Sequence, residues 1–205
     1  MYDRLFQIKY FQYFSVMEVY LINHTHVENP QLCYGQSDIP VAITFESEVA
    51  MLQRILPDGV HAIYTSPLTR CTLLAKNLFP GQDMIVSDKI KELNFGDWEL
   101  QDWDEINHNV LDEWLIDFVN IAPPNGETYN QLNTRVKSFI QNLLQQPHER
   151  VAIVTHPGVI RCFMAHLLHF SLKQALKIPT DHASITGMKL YTESAYDTLL
   201  FLNKR

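Results

Sequence analysis

The 205-residue sequence predicts an α/β fold, a three-layer α/β/α sandwich around a mostly parallel central sheet. Two observations predict it. Short β-branched runs bounded by turn signals alternate along the chain with longer segments of helical period. The long segment Glu127–Gln146 carries Leu132, Val136, Phe139, Ile140, Leu143 and Leu144 on one stripe, the pattern of a helix with one buried face. Strand–helix alternation of this kind calls for parallel strands covered by helices on both faces.

Val19–Ile22, Ala62–Thr65 and Val151–Thr155 read as buried strands, and Met84–Ser87 is a less strongly patterned one. Ser184–Tyr191 and Asp197–Leu202 form a closing antiparallel pair. Phe45–Leu56 is a helix stopped by Pro57-Asp58-Gly59, and Thr69–Phe79 is one stopped by Pro80-Gly81. Val159–His169 is a shorter, more apolar helix. With no repeats, low-complexity tracts or linkers, residues 17–205 read as a single domain. Residues 1–16 stand apart: Met17 directly precedes the first convincing strand, and nothing before it alternates. They are read as an N-terminal extension. Gln12 and Glu18 interrupt any apolar leader core, and no small-residue cleavage site follows.

A chain of this size buries about 70% of its unfolded surface and needs no staple. Its 46% apolar and 19% charged residues are ordinary for a globular protein. A net charge of −7 argues against nucleic-acid binding, which calls for a basic patch, yet a locally positive pocket can still hold an anion. No apolar run approaches the roughly 20 residues of a membrane span. Three widely spaced cysteines, Cys33, Cys71 and Cys162, make neither a CxxC pair nor a disulfide framework, so a reducing cytoplasm is expected. His24 and His26 have metal-pair spacing, but no Asp/His/Cys cluster completes a site. No metal or other cofactor is expected.

Ligands of parallel α/β sheets sit beyond the C-terminal strand ends. That rule singles out Asn23-His24-Thr25 after the first strand, Ser66-Pro67-Leu68-Thr69-Arg70 after the second, and His156-Pro157-Gly158 after Val151–Thr155. Two histidines and an arginine, distant in sequence, converge at one edge. A neutral imidazole attacks phosphorus when its other nitrogen is fixed by a hydrogen bond. Arg70 offers a planar fork for two phosphoryl oxygens, and the helix opened by His156 and Pro157 favours an anion. A leaving alkoxide needs a proton from a carboxylic acid, for which Glu92, Asp97 and Glu99 are candidates.

These segments, with "YTSPLTRC", "KELNFGDWE", "PNGETYNQLNTRV" and "VTHPGVIR", resemble the histidine phosphatases of the phosphoglycerate-mutase superfamily from Val19 to about Leu202. "HT" followed by "CYGQSDIPV", with "FGDWE" and "IAPPNGE", most resembles the α-ribazole phosphatases of cobalamin assembly. The resemblance implies a metal-independent phosphomonoesterase whose partner is a small phosphorylated metabolite, with no nucleic acid or membrane. Monomer and homodimer stay open. It makes His24 the phosphorylated nucleophile, Glu92 the general acid and base, and Asn23, Arg70 and His156 the phosphate contacts. Thr25, Gln36 and His182 are weaker substrate contacts. A mutase is disfavoured, since the resemblance places longer shielding insertions in mutases. A broad sugar-phosphate phosphatase and a non-catalytic phospho-ligand binder are the alternatives. The family pattern has arginine where Asn23 stands. Asparagine brings no charge, so the pocket is expected to be poorer than usual, and Asn23→Arg is expected to raise turnover. Arg161 is read as a structural ion-pair residue, and Arg135 as a surface or interhelix contact.

Overall fold

A computed structural model describes residues 16–192 and 194–205. Strands β1 (Val16–Asn23), β2 (Ala62–Thr65), β3 (Met84–Val86), β4 (Arg150–Thr155), β5 (Ile185–Tyr191) and β6 (Thr198–Lys204) form one sheet in the order β3-β2-β4-β1-β5-β6. β3, β2, β4 and β1 run parallel, while β5 pairs antiparallel with β1 and β6. The sheet is therefore mostly parallel and closed at one side by the antiparallel pair.

β1 lies inside the sheet, and its alternating residues feed two cores. Val19 and Leu21 pack with Leu132, Val136, Ile140, Ile160 and Phe163. Tyr20 and Ile22 pack with Phe45, Val49, Leu52 and Leu74. Helices α1 (Phe45–Ile55) and α2 (Thr69–Leu78) thus cover one face. Helices α4 (Tyr129–Leu143) and α5 (Pro157–Leu168) cover the other.

Three details differ from the expectations. β1 begins at Val16, paired with Tyr191, so the proposed boundary after residue 16 falls one residue inside the strand. The remainder of the expected extension lies outside the described residues. α4 starts at Tyr129 rather than Glu127, because Thr128 caps it: the Thr128 side chain accepts from the Gln131 amide, and the Gln131 side chain accepts from the Thr128 amide. Helix α3 (His108–Ile116) was not expected. It buries Trp114 but leaves Val110, Leu115 and Ile116 exposed, so it shows no apolar stripe. It adds a side wall above the strand ends.

Candidate active site

β1, β2 and β4 end on Asn23, Thr65 and Thr155, and the residues that follow meet as the topology requires. A cleft of about 270 Å³ opens there, lined at its floor by His24, Arg70, Glu92, Gly158 and His182. Phe95, Trp103, Trp114, Phe118 and Tyr129 form an aromatic wall above them.

His24 is buried, and its Nδ1 lies 2.8 Å from the carbonyl oxygen of Thr25. A carbonyl only accepts, so Nδ1 carries the proton and Nε2 of the neutral ring keeps its lone pair. Burial first, then the Arg70 guanidinium, hold His24 well below the usual imidazole range. The ring is therefore neutral at physiological pH, as a nucleophile must be. Its centroid stands 5.2 Å from that of His156 and 5.1 Å from that of His182.

Arg70 is fully enclosed, and its Nη1 and Nη2 donate to the Ser37 carbonyl at 2.9 Å and the Gly35 carbonyl at 2.6 Å. The loop carrying those carbonyls is itself held by Glu99, whose carboxylate accepts from the amides of Gly35, Gln36, Ser37 and Phe95 at 2.9–3.0 Å. Burial raises the Glu99 carboxyl, but these amides outweigh it and hold it below the usual value. Glu99 is thus a structural anion, and Asp97 is exposed and bonded to Asn125.

Of the three candidate acids only Glu92 lines the cleft. Its Oε1 accepts from the Leu93 amide at 2.8 Å and its Oε2 from the Gly158 amide at 2.9 Å. Each oxygen keeps a second lone-pair site for a proton or a water. A side chain at Gly158 would overlap Oε1 of Glu92, so glycine is what lets the acid reach the start of α5. The backbone under Glu92 is clamped by Arg135, which donates to the carbonyls of Lys89, Lys91 and Glu92 and forks onto Glu127 at 2.8 and 2.9 Å.

Other expected contacts fall elsewhere. Asn23 is fully buried, and its Nδ2 donates to the carbonyls of Thr180 at 3.1 Å and Asp181 at 2.9 Å. Both amide hydrogens are committed, which corrects the expectation that Asn23 contacts phosphate. Gln36 donates from Nε2 to the Glu92 carbonyl and lines a separate hollow with Lys91 and Arg135, so it is not a cleft residue. Thr25 is buried outside the cleft wall, and its carbonyl fixes His24. His156 is fully buried, sharing a 2.8 Å hydrogen bond with Ser66 Oγ. It stands beside His24 without lining the cleft. His182 does line it, 3.3 Å from the Tyr34 hydroxyl. Trp98 is core, packed edge-on against Trp114.

Two arginines have other places than expected. Arg161 makes no ion pair among the described residues. Its Nε donates to the Ile178 carbonyl at 3.2 Å, and it lines the cleft. Its position one turn into α5, three residues past Gly158, was a legible signal. Arg135 turns inward because it lies three residues from Leu132 and four from Phe139, inside the buried stripe of α4.

Residues 19–203 match the family described as the histidine phosphatase superfamily (branch 1). The chain belongs to the histidine phosphatase superfamily. This histidine phosphatase is 26% identical over 194 residues to a Hydrogenobacter thermophilus protein provisionally named phosphoserine phosphatase 2, covering 91% of this chain and 95% of that one. It is 26% identical over 175 residues to the adenosylcobalamin/alpha-ribazole phosphatase of Salmonella typhimurium, covering 77% and 87%. The crystal structure of the alpha-ribazole phosphatase from Shigella flexneri superposes with a TM-score of 0.84 at 23% identity, over 92% of this chain and 96% of that chain. At that identity the superposition shows the shared fold. Among the described residues, no helix is long and apolar enough to cross a membrane, and no group of three or more His, Cys, Asp or Glu side chains is arranged to hold a metal ion.

Proposed function

We propose that the protein is a phosphomonoesterase that works through a phosphohistidine on His24. The observation that carries this reading is the hydrogen bond from His24 Nδ1 to the Thr25 carbonyl, which leaves Nε2 bare on a ring that lines the same cleft as Arg70 and Glu92. Nε2 attacks phosphorus, the ester P–O bond breaks, and Glu92 gives its proton to the departing alkoxide. Glu92, now a carboxylate, takes a proton from water. The resulting hydroxide cleaves the P–N bond, releasing phosphate and restoring the neutral imidazole. Arg70 stabilises the charge on the transferring group throughout. Glu92→Gln tests the assignment. It should slow alkyl phosphates far more than p-nitrophenyl phosphate, whose leaving group needs no proton. Equal losses would remove Glu92 from the role. Turnover unchanged by EDTA is expected of a metal-independent route, and phosphate binding without turnover would favour the non-catalytic reading.

For the substrate we propose α-ribazole 5′-phosphate, an intermediate of cobalamin assembly. The aromatic wall of Phe95, Trp103, Trp114 and Phe118 suits a planar heterocycle, and relatives named for that substrate support it. Arg161 favours a second reading. It is a guanidinium in the cleft whose Nη groups have no partner among the described residues. A carboxylate on the leaving alcohol, as in phosphoserine, would pair with it. Comparing kcat/KM for α-ribazole 5′-phosphate and O-phosphoserine decides between the two. Three free, buried cysteines fit a cytoplasmic enzyme.

A further inference from the structure

Asn23 ends β1 directly before His24, and its side chain is spent on residues 180 and 181. Its Nδ2 donates to the Thr180 and Asp181 carbonyls at 3.1 and 2.9 Å, and its backbone amide donates to the Ser184 carbonyl at 3.0 Å. The Ala183 amide returns a bond to the His24 carbonyl at 3.0 Å, and Ser184 Oγ donates to the Asp181 carbonyl at 2.7 Å. Within this tie Ala183 has φ of 51°, a left-handed conformation that a residue with a Cβ adopts only when its surroundings hold it. Between the tied positions, the side chain of His182 projects into the cleft. Its ring centroid lies 5.1 Å from that of His24 and 4.5 Å from that of His26, with Nε2 3.3 Å from the Tyr34 hydroxyl.

From this geometry we infer that Asn23 is a positioning residue that holds His182 against His24, and that His182 takes up a proton when an anion enters and so supplies the cleft's second cation. A protonated His182 has two N–H donors. One serves Tyr34, and the other is free for a phosphoryl oxygen.

The groups around His182 make the proton uptake conditional. Arg70 and the neighbouring His26 oppose the charge, as does burial, while Glu48 and Asp181 favour it. Glu48 reaches the cluster through His26, whose Nδ1 lies 2.8 Å from its Oε1. With the cleft empty, burial as the largest cause pushes His182 down to about 4. A dianion at the floor adds two negative charges beside the ring, and the proton becomes favourable.

The inference rests on the cleft being a phosphoryl site, so the test uses binding alone. Inorganic sulfate stays a dianion and carries no proton, so calorimetric titration with it between about pH 5.5 and pH 7.5 reads proton uptake by the protein. Wild-type affinity should weaken as pH rises, by about tenfold per pH unit for each proton taken up. In His182→Asn that dependence should be shallower by one proton, and affinity at the acidic end should fall by at least about tenfold. Asn23→Ala should weaken sulfate in the wild-type background and change it by less than about twofold in His182→Asn, since it acts through the missing ring. If Asn23→Ala is insoluble, Asn23→Asp, of equal volume but without the two donors, takes its place. Equal pH dependence in wild type and His182→Asn, or additive losses in the double variant, overturns the inference. Absence of sulfate binding to the wild type at every pH would instead count against the phosphoryl cleft itself.

Discussion

Gly158→Ala places one methyl group where Oε1 of Glu92 lies, with Leu132 Cδ2 3.0 Å away on the other side. The backbone at Gly158 has no unusual φ, so α5 itself tolerates alanine. Glu92 must move instead, giving up its bond to the Gly158 amide at 2.9 Å. Loss of one hydrogen bond to a charged group costs about 1.5–3 kcal/mol, which lowers Tm by about 3–12 °C in a chain of this size. Catalysis suffers more. A general acid displaced by about 1 Å loses roughly a hundredfold in rate, within the 10²–10⁴ that such a group supplies (order of magnitude). The assay compares kcat on an alkyl phosphate with kcat on p-nitrophenyl phosphate, alongside a melting curve. The alkyl phosphate should lose about a hundredfold and the nitrophenyl ester less than about tenfold. Equal losses on both, or none on either, would refute Glu92 as the proton donor held by the start of α5.

Asn23→Arg removes two buried hydrogen bonds, together about 2 kcal/mol, and releases segment 180–184. Both Tm and kcat should fall, whereas a rise in kcat at unchanged Tm would restore the expectation that an arginine is simply missing. Arg135→Met leaves Glu127 without its cation and the Lys89 and Lys91 carbonyls without their donor, while the Glu92 carbonyl keeps only Gln36, so unfolding in urea should show a loss of about 3–5 kcal/mol, and unchanged stability would contradict the clamp. His182 sits at about 4 in the folded chain against 6.5 ordinarily, so the unfolded chain binds its proton first. That stability is complete above about pH 6.5 and is lost as pH falls toward about 4, roughly 2 kcal/mol by about pH 5. Urea titrations at the two pH values in wild type and His182→Asn should show the drop and its reduction, and an equal drop in both would remove His182 as its source.

The residues at the strand ends were legible because short, continuously apolar β-branched runs bounded by turn signals show where a buried strand stops, and a parallel sheet gathers its C-terminal ends at one edge. His24, Arg70 and His156 followed from that rule, and Glu92 from the resemblance. The clamps were not legible. Asn23, Glu99 and Arg135 work by bonding to backbone groups of loops, and such bonds leave no trace in the pattern of residue types. Gln36 shows the converse: its motif is intact, but its amide turns to the Glu92 carbonyl and away from the cleft. α3 was missed because its exposed Leu115 and Ile116 conceal the helical period. Arg161 was expected in a structural ion pair, and among the described residues its side chain bonds only the Ile178 carbonyl.

The nitrogen that carries the phosphoryl group decides whether His24 is the nucleophile. Nδ1 of His24 is committed to the Thr25 carbonyl at 2.8 Å, so phosphorus must attach to Nε2. Protein mixed with a phosphorylated substrate and quenched in alkali, where phosphohistidine survives, is digested and the phosphopeptide examined by phosphorus and proton NMR. The expected product is phosphohistidine substituted at Nε2 of residue 24, absent from His24→Ala. Phosphorus on Nδ1, on another residue, or still present in His24→Ala would contradict the account.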